Sequence, residues 1–73
     1  MRPRNYMHVM WDDYTDRWRC WLFRSGQVVE REHLPDIAAV VARAQGLGLP
    51  VDIDEYQVRL RTALREAGVR LIP

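Results

Sequence analysis

The dipeptide Ser25-Gly26 separates two segments that have the composition of β-strands. Residues 17–24 (Arg-Trp-Arg-Cys-Trp-Leu-Phe-Arg) begin with alternating polar and apolar side chains, and residues 27–32 follow the dipeptide. Glycine accepts the positive φ of tight hairpin turns, so Ser25-Gly26 predicts a two-residue turn. Residues 5–11 are apolar and aromatic without helical spacing, and the polar cluster 12–16 follows them. This half of the chain therefore predicts a three-stranded meander.

The segment after the meander has the apolar spacing of an amphipathic helix. Proline is tolerated in a first turn and aspartate is stabilised near the positive helix end, so Pro35 and Asp36 indicate its start. Gly46 and Gly48 are expected to end it. Its apolar stripe comprises Ile37, Val40, Val41 and Ala44. Alanines occupy most of the other side, which predicts that a second helix or a partner subunit covers this helix as well.

Residues 49–53 predict a short fourth strand, and Pro50 favours an edge position because proline cannot donate a ladder hydrogen bond. A second helix is expected next, since Asp54 and Gln57 have the spacing of a capping box. Gly68 is expected to end that helix, and residues 69–72 add a last short strand or lie extended across the core. The apolar face of the helix comprises Tyr56, Leu60, Ala63, Leu64 and Ala67.

These elements predict one small α+β domain over residues 1–73, in the order β-β-β-α-(β)-α. The expected sheet has three or four mainly antiparallel strands, with two helices packed on one face. Three strands followed by a helix, together with Trp18 and Gly26, resemble small DNA-binding sheet domains. Examples are the arm-binding modules of integrases and a type of DNA-binding domain found in plants. The resemblance covers roughly half of the chain and implies a fold-level analogy that assigns no role to any residue.

Composition limits the function. The 73 residues include 11 arginines, no lysine and 10 acidic residues, for a formal net charge of +1. This charge is too small for the broad positive field that steers a protein onto nucleic acid or lipid, so any basic site must be local. The sequence contains no apolar run of signal-peptide or membrane-span length, which favours a soluble, cytoplasmic protein. So small a core typically contributes only about 3 to 5 kcal/mol, which favours association as a homodimer or with a partner.

The patterns of enzyme active sites are missing from the sequence. Ser25 is the only serine and lies in the predicted turn. Cys20 is the only cysteine and is predicted to point inward, where a thiol is inert. No phosphate-binding loop or dinucleotide-binding fingerprint is present. We therefore expect a non-enzymatic protein with no catalytic residue and no cofactor.

Metal binding is equally unexpected. Asp12, Asp13 and Asp16 lie within five residues, but they lack the alternate spacing and central glycine of a calcium loop. They are typical of a solvated turn. His8 and His33 have no metal-ligand spacing, so each is interpreted as structural, with weak pH sensitivity at an interface as a further role.

The second strand is the most informative segment for function. Its even positions suit the core, and its odd positions place Arg17, Arg19, Trp21 and Phe23 on the opposite face. Arginine beside aromatic residues on an open sheet is typical of a protein-binding surface or of stacking on bases. The alternative is a solvated or dimer-buried face. A regular two-residue turn would set Arg19 opposite Glu32, Trp21 opposite Glu30, and Phe23 opposite Val28.

A second candidate is a basic stripe on the second helix. Gln57, Arg61 and Arg65 follow at i, i+4 and i+8, with Arg59 beside them as a further candidate contact for phosphate or for an acidic partner. The alternative is the solvated face of an amphipathic helix, in which Glu55 pairs with Arg59. Arg2 and Arg4 extend the stripe if the N-terminus folds nearby.

The combined interpretation is a non-enzymatic protein–protein interaction module. Its size suggests an accessory factor or inhibitor, of the kind that phages and mobile elements encode, that occupies a surface of a larger host complex. The alternative is a small nucleic-acid-binding domain that uses the sheet face and the helix stripe. A third hypothesis is a homodimer whose seam is the aromatic face.

Overall fold

Three successive strands form most of the sheet, and buried side chains alternate with more exposed ones along the second of them. The structure, a computed structural model, describes residues 3–73. The elements are β1 (Tyr6–Asp12), β2 (Arg17–Arg24), β3 (Gln27–Leu34), α1 (Ile37–Leu47), β4 (Val51–Ile53) and α2 (Val58–Glu66). The sheet order is β3-β2-β1-β4, with antiparallel pairing except between β1 and β4, which are parallel. The predicted α+β fold is confirmed.

The hairpin turn between β2 and β3 has the expected form. Ser25 and Gly26 both have positive φ, 53° and 77°, which suits the right-handed twist of the flanking strands. The segment before β1 holds the turn in place, since the Ser25 N–H donates to Asn5 Oδ1 at 3.0 Å and the Gly26 N–H donates to the Arg4 carbonyl at 3.0 Å. These two hydrogen bonds attach the residues that precede β1 to the turn of the β2–β3 hairpin.

The β2–β3 register differs from the prediction. Phe23 is opposite Val28 as expected, but Leu22 is opposite Glu30, so Val29 is an extra residue in β3. This bulge changes which β3 side chains share a face with β2. The predicted partners of Arg19 and Trp21, Glu32 and Glu30, are wrong.

Helix α1 begins after Asp36 and ends at Gly48, whereas the roles predicted for Pro35 and Gly46 are wrong. Asp36 is the N-cap, and its Oδ1 accepts the N–H of Ala39 at 2.8 Å. Pro35 precedes the cap and is outside the first turn. Gly48 ends the helix at φ 65°, with its N–H donated to the Ala44 carbonyl, whereas Gly46 is inside the helix.

The start of helix α2 contradicts the predicted capping box. Gln57 is the N-cap and has no side-chain cap hydrogen bond. The Asp54 Oδ1 instead accepts the N–H of Tyr56 at 2.9 Å in a turn that precedes the helix. Tyr56 therefore lies before α2 and is 81% exposed, so its predicted place on the buried face of the helix is wrong. The buried residues of α2 are Leu60 and Leu64.

Both helices lie on the same face of the sheet and enclose the core. The core cluster comprises Met7, Val9, Trp18, Cys20, Val40, Ala44, Val51, Ile53, Leu60 and Leu64. β4 is an edge strand of the sheet, as Pro50 predicted, and the chain end runs beside it. The Val51 N–H donates to the Arg70 carbonyl and the Ile72 N–H donates to the Val51 carbonyl. The tail thus forms one parallel bridge, at Leu71.

Both helices are short. Over the described residues, neither helix has the length and apolar character needed to cross a bilayer.

Candidate partner-binding surface

The face of the sheet opposite the helices is the candidate surface, which we call the open face. Side chains alternate along each strand, and the ladder register aligns them across strands. The four candidate residues of β2 all belong to it, as predicted. The open face comprises Tyr6, His8, Met10, Asp12, Arg17, Arg19, Trp21, Phe23, Val28, Arg31, His33 and Asp52.

Trp21 contacts two guanidinium groups at the centre of the open face. The Arg19 Cζ is 5.1 Å from the centroid of the indole ring, and the Arg31 Cζ is 5.2 Å from it. Both distances are within the range of cation–π attraction. Arg19 also contacts the Met10 sulfur through Nη2, and its Nε is buried without a hydrogen-bond partner among the described residues. The two cations are thus held in position by the aromatic ring that they cover.

A second aromatic pair lies at the hairpin end of the same face. The rings of Tyr6 and Phe23 stack with 4.6 Å between centroids and 5° between planes. Tyr6 is 8% exposed. Each ring therefore already has one of its π faces against the other ring.

Two histidine–aspartate pairs flank the central group. The His8 Nδ1 is 3.0 Å from Asp52 Oδ2, and the His33 Nε2 is 3.1 Å from Asp12 Oδ2. The backbone N–H of Tyr14 also donates to Asp12, and this hydrogen bond is the main cause that lowers the pKa of the Asp12 carboxyl, with the His33 contact adding to it. Both carboxylates of the open face thus have histidine partners.

The acidic residues of β3 point to the helix side of the sheet. The Arg43 Nη2 is 2.7 Å from Glu30 Oε2, and its Nε is 2.8 Å from Glu32 Oε1. Because Val29 shifts the register, Arg31 and His33 occupy the places opposite Trp21 and Arg19. The open face consequently carries Arg31 and His33 at the two positions where a regular register would place Glu30 and Glu32.

The predicted basic stripe of α2 lies on the other layer of the molecule. Arg59 and Arg65 are exposed there, and Arg61 is half-buried with its Nη1 donating to the Ile53 carbonyl at 3.0 Å. These arginines and the open face therefore do not form one continuous surface. Arg4 is exposed beside the hairpin turn, and Arg2 lies outside the described residues.

The other features singled out in the sequence are the aspartates that follow β1 and the single cysteine. Within residues 3–73, no three side chains of the histidine, cysteine and acidic types converge on a metal position. Cys20 is 2% exposed and points into the core as predicted. Burial is the main cause that raises the pKa of its thiol to about 12.

Sequence reasoning missed Tyr6, His8, Arg31 and His33 as members of the open face. The signal for Arg31 and His33 is the Val28-Val29 pair, because two successive apolar residues interrupt the alternation of β3. Tyr6 and His8 lie at even-numbered positions of β1, as does Asp12 at the polar end of the strand. This alternation assigns them to the open face only once the β1–β2 register is known.

Comparison of this chain with protein-family models, curated proteins and solved structures gives no match.

Proposed function

We propose that the chain is a cytoplasmic, non-enzymatic binding module whose open face docks on an acidic surface of a larger protein. An accessory factor or inhibitor, of the kind encoded by phages and mobile elements, is the class of protein that this fits. The observation that supports it is the central group of Arg19, Trp21 and Arg31. Tryptophan and arginine are the residue types most enriched among binding hot spots.

Unpaired charge favours an acidic partner. None of the ion pairs between described residues involves Arg17, Arg19 or Arg31. The cations on the open face therefore remain available, while the one arginine beside the glutamates, Arg43, is already paired. Carboxylates of a partner would meet guanidinium groups that the indole ring holds in place, so less side-chain entropy is lost on binding.

Protein docking is favoured over base stacking by the state of the aromatic rings. Stacking on a base requires a free π face. Two guanidinium groups lie over Trp21, and one face of each ring in the Tyr6–Phe23 pair is already covered by the other ring, so few free π faces remain. The net charge of +1 also supports a protein partner, since nucleic-acid-binding domains usually show a clear basic excess.

A nucleic-acid-binding domain is the second candidate, and the register of β3 favours it. Arg31 and His33 join Arg17 and Arg19 on one face, so four basic side chains lie on two adjacent strands. Phosphates bind such clusters, and each phosphate contact steepens the salt dependence of binding by about one unit of log–log slope.

The test is capture of partners from a bacterial lysate with tagged protein, with and without nuclease and at two salt concentrations. A captured protein that survives nuclease is then purified, and its affinity is measured for wild type and variants. The double variant Arg19→Ala with Trp21→Ala should lose about 2 kcal/mol or more of binding free energy. Arg31→Glu should weaken binding as well, since it reverses one charge without removing the ring.

The matched control is Arg65→Ala, which removes an exposed arginine from the opposite layer. Its binding should equal that of wild type. An affinity of the double variant within about 0.5 kcal/mol of wild type would show that the open face is not the docking surface. Recovery of nucleic acid that disappears with nuclease and at higher salt would instead support the second candidate.

A further inference from the structure

An apolar cleft lies at the end of the molecule where β1 turns into β2. It has a volume of about 440 Å³ and lies between that end of the sheet and the first residues of α1 and α2. This volume is within the range of binding pockets. The lining residues are Trp11, Trp18, Ile37, Tyr56, Gln57, Val58, Arg59 and Leu60.

Three large side chains in the walls of the cleft are exposed. Trp11 is 36% exposed, Val58 is 64% exposed and Tyr56 is 81% exposed. The rings of Trp11 and Trp18 form a T-shaped pair, with 5.1 Å between their centroids and 71° between their planes. The Asp54 turn fixes the backbone of Tyr56. Contiguous exposed apolar surface of this kind marks an interaction site.

The same end of the molecule presents an aromatic side chain to solvent. Tyr14 is 100% exposed, so it does not enter the cleft of its own chain. Its backbone is held, because its N–H donates to Asp12 Oδ1 at 2.9 Å, and Asp16 closes the turn with a φ of 53°. Asp13 precedes Tyr14 directly. The turn thus displays an aromatic ring flanked by carboxylates.

Charge in the cleft complements that turn. Among the described residues that line it, Arg59 is the only charged one and Gln57 the only amide. Helix α2 begins at the cleft with neither a side-chain cap nor an acidic residue in its first turn, so carboxylates nearby are favourable. An aromatic ring accompanied by aspartates therefore matches the cleft in polarity and charge.

We propose that two copies of the chain form a two-fold dimer in which each inserts Tyr14 into the cleft of the other. The Trp11–Trp18 pair of the cleft is next to the Asp12–Arg17 pair that adjoins the turn. Cleft and turn are thus neighbours, so one two-fold axis between them forms both contacts at once. The open face is on the other side of the sheet, and the dimer does not depend on the function proposed for that face.

The dimer is expected to be weak and dependent on concentration. An aromatic side chain buries about 150 to 250 Å². Two such rings with their cleft walls remain below the roughly 1,200 Å² of a stable interface. The measurement is sedimentation equilibrium of the purified chain over a dilution series that starts in the millimolar range. A rise in average mass toward about 17 kDa, twice the 8.7 kDa of one chain, is expected.

Three variants test the contacts. Tyr14→Ala removes the inserted ring. Val58→Glu places a negative charge at the rim of the cleft. Glutamate is favourable at this first position of α2, because the N-terminus of a helix carries partial positive charge. Each should raise the dissociation constant of the dimer about tenfold or more. Val29→Ala removes an equally apolar exposed side chain from β3 and should leave the dimer unchanged. Circular dichroism verifies that all three fold.

Mixing the first two variants tests reciprocity. The Tyr14→Ala chain has an intact cleft, and the Val58→Glu chain has an intact tyrosine, so the mixture can form one of the two contacts. The mixture should associate more tightly than either variant alone. A wild-type chain that is monomeric at every concentration overturns the proposal, and so does a dimer that Tyr14→Ala leaves unchanged. A mixture that associates no better than its components overturns it too.

Discussion

Arg31 lies directly opposite Trp21 on the β2–β3 ladder, with its Cζ 5.2 Å from the centroid of the indole ring. The extra residue Val29 produces this pairing, because a regular register would place Glu30 there. Glu30 instead points toward the helices, where Arg43 binds it. One bulge thus separates the charges of a single strand, with basic side chains on the open face and acidic ones against α1.

Deletion of Val29 should be tolerated. The deletion removes the one β3 residue that has no partner on β2, so the pairs from Glu30 to Leu34 keep their places. The free energy of unfolding should fall by less than about 1 kcal/mol. Urea unfolding followed by tryptophan fluorescence measures it, and nuclear Overhauser contacts between Trp21 and Arg31 verify the register.

Deletion of Arg31 is the matched control for the bulge. Val29 can fill the gap, because it then pairs with Leu22 and Glu30 moves opposite Trp21, while Glu32 to Leu34 keep their places. A larger loss of stability than for the Val29 deletion is expected, because the Trp21–Arg31 contact and the Arg43–Glu30 ion pair are both lost. Equal losses for the two deletions would show that separating the charges of β3 does not contribute to stability.

Element order was predictable because its signals are local. The glycine of the hairpin turn, the aspartate before α1 and the apolar period of each helix act within a few residues of themselves. Gly26 and Asp36 accordingly have the roles expected of them, positive φ in one case and an N-cap in the other. The four candidate residues on β2 were assigned to the correct face for the same reason, since alternation along one strand is local.

Register and charge partners were not predictable, because they depend on contacts between distant segments. The bulge at Val29 places Glu32 where α1 supplies Arg43, eleven residues later. The prediction for the start of α2 was wrong for a different reason. The Asp54 side chain accepts the N–H of Tyr56, two residues later, in a turn that precedes the helix, so it does not cap α2.

The two glycines at the end of α1 should respond to alanine in opposite directions. Gly48 has a φ of 65°, which side chains with a Cβ disfavour, so Gly48→Ala should cost about 1 kcal/mol of stability. Gly46 lies inside the helix, and a Cβ added there would meet open space, so Gly46→Ala should add about 0.5 to 1 kcal/mol. Thermal unfolding of both variants beside wild type measures the difference. A gain at Gly48 would contradict the left-handed cap.

Truncation of Leu64 should unfold much of the protein. Leu64 is 0% exposed and is one of two buried leucines that attach α2 to the sheet. Leu64→Ala should cost about 2 to 5 kcal/mol, which equals most of the stability of a core this small. Urea titration monitored by circular dichroism tests this. Val58→Ala, at an exposed position of the same helix, is the control and should change the midpoint little.

The thiol of Cys20 should be unreactive in the folded protein and should make stability fall at alkaline pH. Burial, with a smaller contribution from Glu32, raises its pKa from 9.0 to about 12. The folded state therefore keeps the proton, and the contribution of the thiol to stability is constant below about pH 9. Above that pH the unfolded chain ionises, so stability should fall by up to about 1.4 kcal/mol per pH unit until the folded thiol ionises near pH 12.

Alkylation by iodoacetamide at about pH 8 and urea unfolding between about pH 8 and pH 10.5 together measure both effects. Cys20→Ala is the control, because it lacks the titrating thiol but retains a small apolar side chain. The stability difference between wild type and Cys20→Ala should be constant below about pH 9 and should shift against wild type above it. Alkylation of native wild type as fast as in urea would contradict the buried thiol, since only the thiolate reacts and only an accessible sulfur is reached.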